Sequence, residues 1–189
     1  MIPRELYQYK QWVCWSRVRH AGRNIKLPIC PATGNPASCV GPATWGSYRQ
    51  ARAMMFRNRW DGIGFVFTAG DPYVGVDLDR CREESGELCQ WAGAVVENLR
   101  SFSEYSPSGN GVHILVRASL PEGGRHRADG IEIYDSGRYF TMTGEQIIGT
   151  PLTVEQRQAE IDRLSGNIKF SSVARPEAKH WSPIDVRYG

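Results

Sequence analysis

Val74-Gly75-Val76-Asp77-Leu78-Asp79 is an apolar run that ends in two carboxylates one residue apart. In a β-strand, residues two apart project from one face, so Asp77 and Asp79 would point together while Leu78 packs into the core behind them. Adjacent carboxylates repel unless something positive lies between them, and oxygen ligands suit Mg2+ or Mn2+. The same pair also occurs in sugar-nucleotide transferases, in hydrolases, and at strand ends that cap a neighbouring helix. Alone, it leaves the chemistry open.

Three further features add to it. Ser106-Pro107-Ser108-Gly109-Asn110-Gly111-Val112-His113 combines small residues with a histidine at the start of a strand. Gly109 and Gly111 would let backbone N–H groups approach a phosphate chain closely, with Ser108 and His113 as side-chain donors. A tight turn with a solvent-facing histidine fits the same residues. Glu132 lies between Ile131 and Ile133, so if the isoleucines face a core the acid faces a cleft; a solvated strand glutamate is the plainer alternative. Arg138-Tyr139 follows a tight Asp135-Ser136-Gly137 connection, where the arginine could grip a triphosphate and the tyrosine could stack on a sugar or base.

Charge is uneven along the 189 residues. Residues 1–60 hold ten basic side chains, among them Arg17, Arg19, Lys26, Arg49 and Arg52, against Glu5 alone; they carry +9 and the remainder −6 of the net +3. A basic half beside an acidic half suits a polyanion-binding protein with a metal site, and equally a solvated basic surface. No apolar stretch is long enough to span a membrane and the charged N-terminus is unlike a secretory signal, so no membrane partner is expected and the location expected is cytoplasmic. Five cysteines without zinc-type spacing are expected to be reduced, buried thiols. The absence of a G-x-S-x-G elbow disfavours a serine hydrolase. His113-Ile114-Leu115 lacks the second histidine of a rolling-circle relaxase.

These residues need positioning elements. Strands are expected at 11–18, 25–29, 64–68, 73–78, 112–116, 130–134 and 138–143. Helices are expected at 47–58, at 88–99 with Leu88, Trp91, Val95 and Leu99 as the buried stripe, and at 152–164 with Thr153 as its cap. Residues 30–46 read as an ordered loop. The class is α+β, with short antiparallel strands and helices on one face. A catalytic domain is expected over 1–165, divided into an N-terminal lobe at about 1–60 and a larger lobe at about 61–165. Residues 166–189 read as a linker or tail leading to a further C-terminal region.

Taken in order, a DxD strand, a Ser-Gly-x-Gly-x-His loop and an isolated acid on a later strand resemble the archaeo-eukaryotic primase superfamily. The likeness is to the primase-polymerase domains of phage and plasmid replication proteins. It is carried by Asp77-Leu78-Asp79, Ser108 to His113 and Glu132. It extends to Gln11-Trp12-Val13, Lys26-Leu27-Pro28, Gly62 to Val66 and Ser136 to Gly144, covering roughly residues 8–165. The resemblance implies an RRM-like antiparallel-sheet catalytic module packed with a smaller N-terminal α/β module. It implies a template-dependent nucleotidyltransferase, a DNA primase and polymerase, in which Asp77, Asp79 and Glu132 hold Mg2+ or Mn2+. Ser108, Gly109, Gly111, His113, Arg138, Tyr139 and Lys26 would hold the incoming dNTP or NTP. Arg17, Arg19, Arg49 and Arg52 are the expected contacts to single-stranded or primed DNA, with Trp12, Trp15 and Trp45 either stacking on bases or lying in the core. A helicase, as a domain or a separate protein, is the expected companion. The alternative is a non-catalytic replication-initiator module that binds nucleic acid on the same fold.

Overall fold

The computed structural model describes residues 1–120, 125–128 and 130–167, the strand at 125–128 by its backbone only. The tail expected from residue 166 therefore falls, from 168 onward, outside the described residues. Nine strands and three α-helices are described: β1 (Trp12–His20), β2 (Arg23–Ile29), α1 (Tyr48–Asn58), β3 (Gly62–Val66), β4 (Tyr73–Leu78), α2 (Gln90–Leu99), β5 (Ser103–Tyr105), β6 (Val112–Arg117), β7 (Arg125–Ala128), β8 (Ile131–Tyr134), β9 (Tyr139–Met142) and α3 (Gln158–Asn167). They form two sheets, in the orders β2-β1-β3-β9 and β5-β6-β4-β8-β7. Every paired strand within the sheets is antiparallel. The α+β class follows.

The first sheet packs one face on α1. Trp12, Cys14, Ile63, Phe65 and Met142 alternate inward and meet Ala51 of the helix, with Tyr48 edge-on to Trp12 at 4.9 Å. Ser47 caps α1 by accepting from the Gln50 amide. The second sheet turns Val74, Val76, Leu78, Val112, Ile114, Val116 and Ile133 toward α2 and α3, where Ala92, Val96, Leu99 and Ile161 complete a second core. Its opposite face, with Tyr73, Gly75 and Tyr134, meets Phe67 and Phe140 from the first-sheet side.

The sheets do not divide the chain at one point. β3 and β9 come from beyond residue 60 and complete the sheet that β1 and β2 begin, so the boundary expected near residue 60 is not a sheet boundary. Some element-level expectations need correction. Ala92, Val96 and Leu99 are the buried stripe of α2, with Leu88 and Val95 packed at its edge as expected, whereas Trp91 is exposed, off that stripe. α3 begins at Gln158, and Thr153 does not cap it: its hydroxyl donates to the Glu155 carboxylate at 2.5 Å. The residues before α3 stay extended because Gln156 bridges to Arg117 and the Val154 amide donates to Glu5. β5 and β7 were not expected.

Candidate active site

A row of polar residues crosses the second sheet. Cα register pairs Glu104 with His113, His113 with Asp77, and Asp77 with Glu132, on β5, β6, β4 and β8 in turn. Alternation puts this row on the face away from α2 and α3, since Leu78, Ile114 and Ile133 point the other way. His113 Nε2 lies 3.8 Å from Asp77 Oδ1, and His113 Nδ1 lies 3.6 Å from Glu104 Oε1. The imidazole stacks on the Phe140 ring, 4.3 Å between centroids and 6° from parallel. Asp79 is exposed one residue past the end of β4, its amide donating to the Gly130 carbonyl at 2.7 Å, so the ladder runs one step further.

Electrostatically the row is crowded. Burial pushes the Asp77 carboxyl above the ordinary carboxylate range; His113 opposes this, Asp79 and Glu132 add to it, and Lys26 opposes it. Like charges directly opposite on paired strands destabilise a sheet, so Asp77 beside Glu132 favours a cation. The Lys26 ammonium is pushed below its usual range by crowding protein atoms although the residue keeps solvent access; Asp77 raises it, Arg17 lowers it and Asp79 raises it. The Lys26 ammonium itself stands 5.9 Å over the Trp15 ring.

The loop from Ser106 to Gly111 is a tight β5–β6 connection. Gly109 has φ +75°, and a Cβ on Gly111 would sit 2.8 Å from the Leu78 carbonyl oxygen. Ser108 Oγ lies 3.0 Å from Ser106 Oγ. Arg82 clamps the loop, donating to the Gly109 carbonyl at 2.7 Å and lying over the Tyr105 ring at 4.4 Å. Arg138 is half-buried; its charge and those of Asp77 and Glu132 all act on the buried Tyr134 phenol, which burial raises well above its usual range. The Tyr139 hydroxyl donates to the Lys26 carbonyl at 2.7 Å, tying β9 to β2.

The expected DNA contacts divide. Arg17 and Arg52 line a cleft of about 430 Å3 with Trp15, Asp61, Pro107 and Thr143. Arg17 there donates to the Pro107 carbonyl at 3.4 Å, joining β1 to the glycine loop. Arg19 and Arg49 are exposed and do not line it. Trp12 and Trp15 are buried, and the Trp45 indole is spent on the Ser38 carbonyl at 2.6 Å. None of the three forms an open stacking platform.

Among the described residues, no three His, Cys, Asp or Glu side chains converge into a ready-made metal cage. Mg2+ is compatible with that, because it usually keeps waters and takes substrate phosphate oxygens beside one or two carboxylates. Asp77 and Glu132, paired by the register, with Asp79 two residues beyond Asp77, are oxygen donors of the kind such a hard cation takes. Sequence reading missed Glu104, Arg82 and Asp61, all of which hold the site's parts together.

Comparison with known proteins supports a primase-polymerase domain in this chain. Over 150 residues, 76% of its length, it is 39% identical to the DNA primase-polymerase of Nitratiruptor phage NrS-1. The match takes in 20% of that relative, so the chain spans about a fifth of its length. No protein-family model matches the chain.

Proposed function

We propose that this domain is a template-dependent nucleotidyltransferase, a DNA primase and polymerase serving replication of a phage or other mobile element. The observation that carries the reading is the single row in which Asp77 stands between His113 and Glu132, in a chain similar to a phage DNA primase-polymerase. Asp77, Asp79 and Glu132 would hold Mg2+ or Mn2+, which when bound lowers the pKa of the attacking hydroxyl and neutralises charge at the reacting phosphate. The 3′-hydroxyl oxygen attacks the α-phosphate; the bond to the β-phosphate oxygen breaks and pyrophosphate leaves.

The chain's own residues bind and orient. His113, Ser108 and the loop around Gly109 and Gly111 face the triphosphate, with Arg138 and Lys26 supplying positive charge. Tyr139, anchored through its hydroxyl, would lie against the sugar. Arg17 and Arg52, in the cleft beside the loop, receive single-stranded or primed DNA, with Arg19 and Arg49 adding charge around it. The antiparallel second sheet with α2 and α3 on one face supports the RRM-like description of the catalytic module. A helicase would open the template ahead of it. No helix among the described residues is long and apolar enough to cross a membrane, and a cytoplasmic setting suits these substrates.

Extension of a labelled primer on a DNA template, with Mg2+ or Mn2+ and dNTPs or NTPs, tests this. Template-directed extension that disappears in Asp77→Ala is the expected result. Tight DNA binding without extension by the intact domain would favour the non-catalytic initiator module instead.

A further inference from the structure

Glu104 is fully buried in the three-residue strand β5, yet it is a carboxylate. A buried charge is costly unless it is hydrogen-bonded. Its Oε2 accepts from the Gly144 amide at 2.7 Å and its Oε1 from the Thr143 amide at 3.1 Å. These two bonds fasten the end of β9 to β5, and they account for part of the residue's presence. They do not account for the ring beside it. His113 Nδ1 is buried, has no hydrogen-bond partner within ordinary reach, and lies 3.6 Å from Glu104 Oε1. The ring stacks on Phe140, 6° from parallel, which keeps its plane, and both nitrogens within it, in line with Glu104 and Asp77.

We propose that Glu104 is a positioning residue: it takes the Nδ1 proton of His113 as its hydrogen-bond partner and thereby presents Nε2 to Asp77 and the incoming nucleotide. A histidine's two nitrogens are distinct, and the group that engages one decides what the other can do. Here the inner nitrogen is spent on a carboxylate fixed by two backbone amides. The outer nitrogen, 3.8 Å from Asp77 Oδ1, is the one left for the cleft. Phe140, Thr143 and Gly144 come from the first-sheet side, so the ring's orientation also registers how the two sheets are joined. The inference rests on the reading of His113 as a triphosphate contact, but its first readout does not.

That readout is a two-bond 1H–15N correlation spectrum of 15N-histidine-labelled protein, with His113 assigned by its loss in His113→Gln. The intact chain is expected to carry a proton on His113 Nδ1. Glu104→Gln is expected to shift both His113 nitrogens and to raise the nucleotide KM roughly tenfold, with kcat changed by less than about twofold. Glu104→Asp, which keeps the carboxylate, is expected to retain the Nδ1 proton and restore part of the KM. An unprotonated Nδ1 in the intact chain would overturn the proposal without any variant having to fold. So would a Glu104→Gln protein whose His113 signals and KM match the parent. If the intact chain incorporates no nucleotide at all, the polymerase reading fails while the spectrum still decides whether Glu104 holds His113.

Discussion

The two sheets use the same alternation for opposite ends. The first sheet spends its α1 face on large aromatic and aliphatic side chains: Trp12, Phe65 and Phe140 are essentially inaccessible and touch one another's neighbours edge-to-face. The second sheet gives one face to an aliphatic core against α2 and α3; on the other, beside Tyr73, Leu115 and Tyr134 packed on the first sheet, it carries Glu104, His113, Asp77 and Glu132. A row of three acids and a histidine adds little to folding and, where Asp77 opposes Glu132, works against it. The rigidity that holds the row is therefore borrowed from the aliphatic face behind it and from the aromatic sheet beside it.

Two substitutions break this comparison at its extremes. Asp77→Ala is expected to lower primer extension by roughly 10^3-fold, while its denaturation midpoint without metal stays level or rises, because a desolvated like-charge opposition is gone. Trp12→Ala is expected to do the reverse. It should cost about 3–5 kcal/mol of stability in urea denaturation and leave extension per folded molecule unchanged. If both substitutions cost stability alike, the polar row is a structural element and the contrast between the sheets fails. Gly75→Ala probes the seam. Its Cβ would stand 2.8 Å from the Phe140 ring and 2.9 Å from the Phe67 ring, and overpacking of that kind costs about 1–3 kcal/mol. Because Phe140 also carries the stacked His113 ring, extension should fall along with the denaturation midpoint. A stable Gly75→Ala protein with full activity would show that the rings can give way without disturbing the site.

Much of this arrangement is legible in the chain, and the illegible part has a common cause. The apolar run at 73–78 coincides with β4, and period-2 logic correctly puts Leu78 and Ile133 on the face opposite Asp77 and Glu132. The order of acid pair, glycine loop and later acid is enough to suggest which residues share the sheet. β5 carries no such pattern: three residues, two of them polar, become a strand only because β6 and the bridge to Gln146 pair with them. Glu104 is silent for the same reason, since its amide partners lie 39 and 40 residues further along. Lys26 is tied to β9 only through its carbonyl, which accepts from the Tyr139 hydroxyl 113 residues away, and no spacing in sequence shows that. Trp91 misleads in the other direction, because a tryptophan at helical spacing suggests a buried stripe although this one faces outward.

The smallest expected effect measures how dry the first sheet is. Cys14, on the α1 face of β1, is fully inaccessible, and burial, reinforced by Cys30, pushes its thiol from 9.0 up to about 12. The folded state thus holds the proton more tightly than the unfolded chain does. The stability this contributes is complete below pH 9 and is lost as pH rises from 9 toward 12, because the unfolded thiol ionises first. The loss should be about 1 kcal/mol between pH 9 and 10. Denaturation midpoints of the parent and Cys14→Ala across that range isolate it from the other groups that titrate there. The parent should lose stability more steeply, and the gap between the two should narrow as pH rises. Parallel curves would mean that water reaches Cys14, and the first sheet could then no longer be the dry scaffold against which the polar row of the second is held.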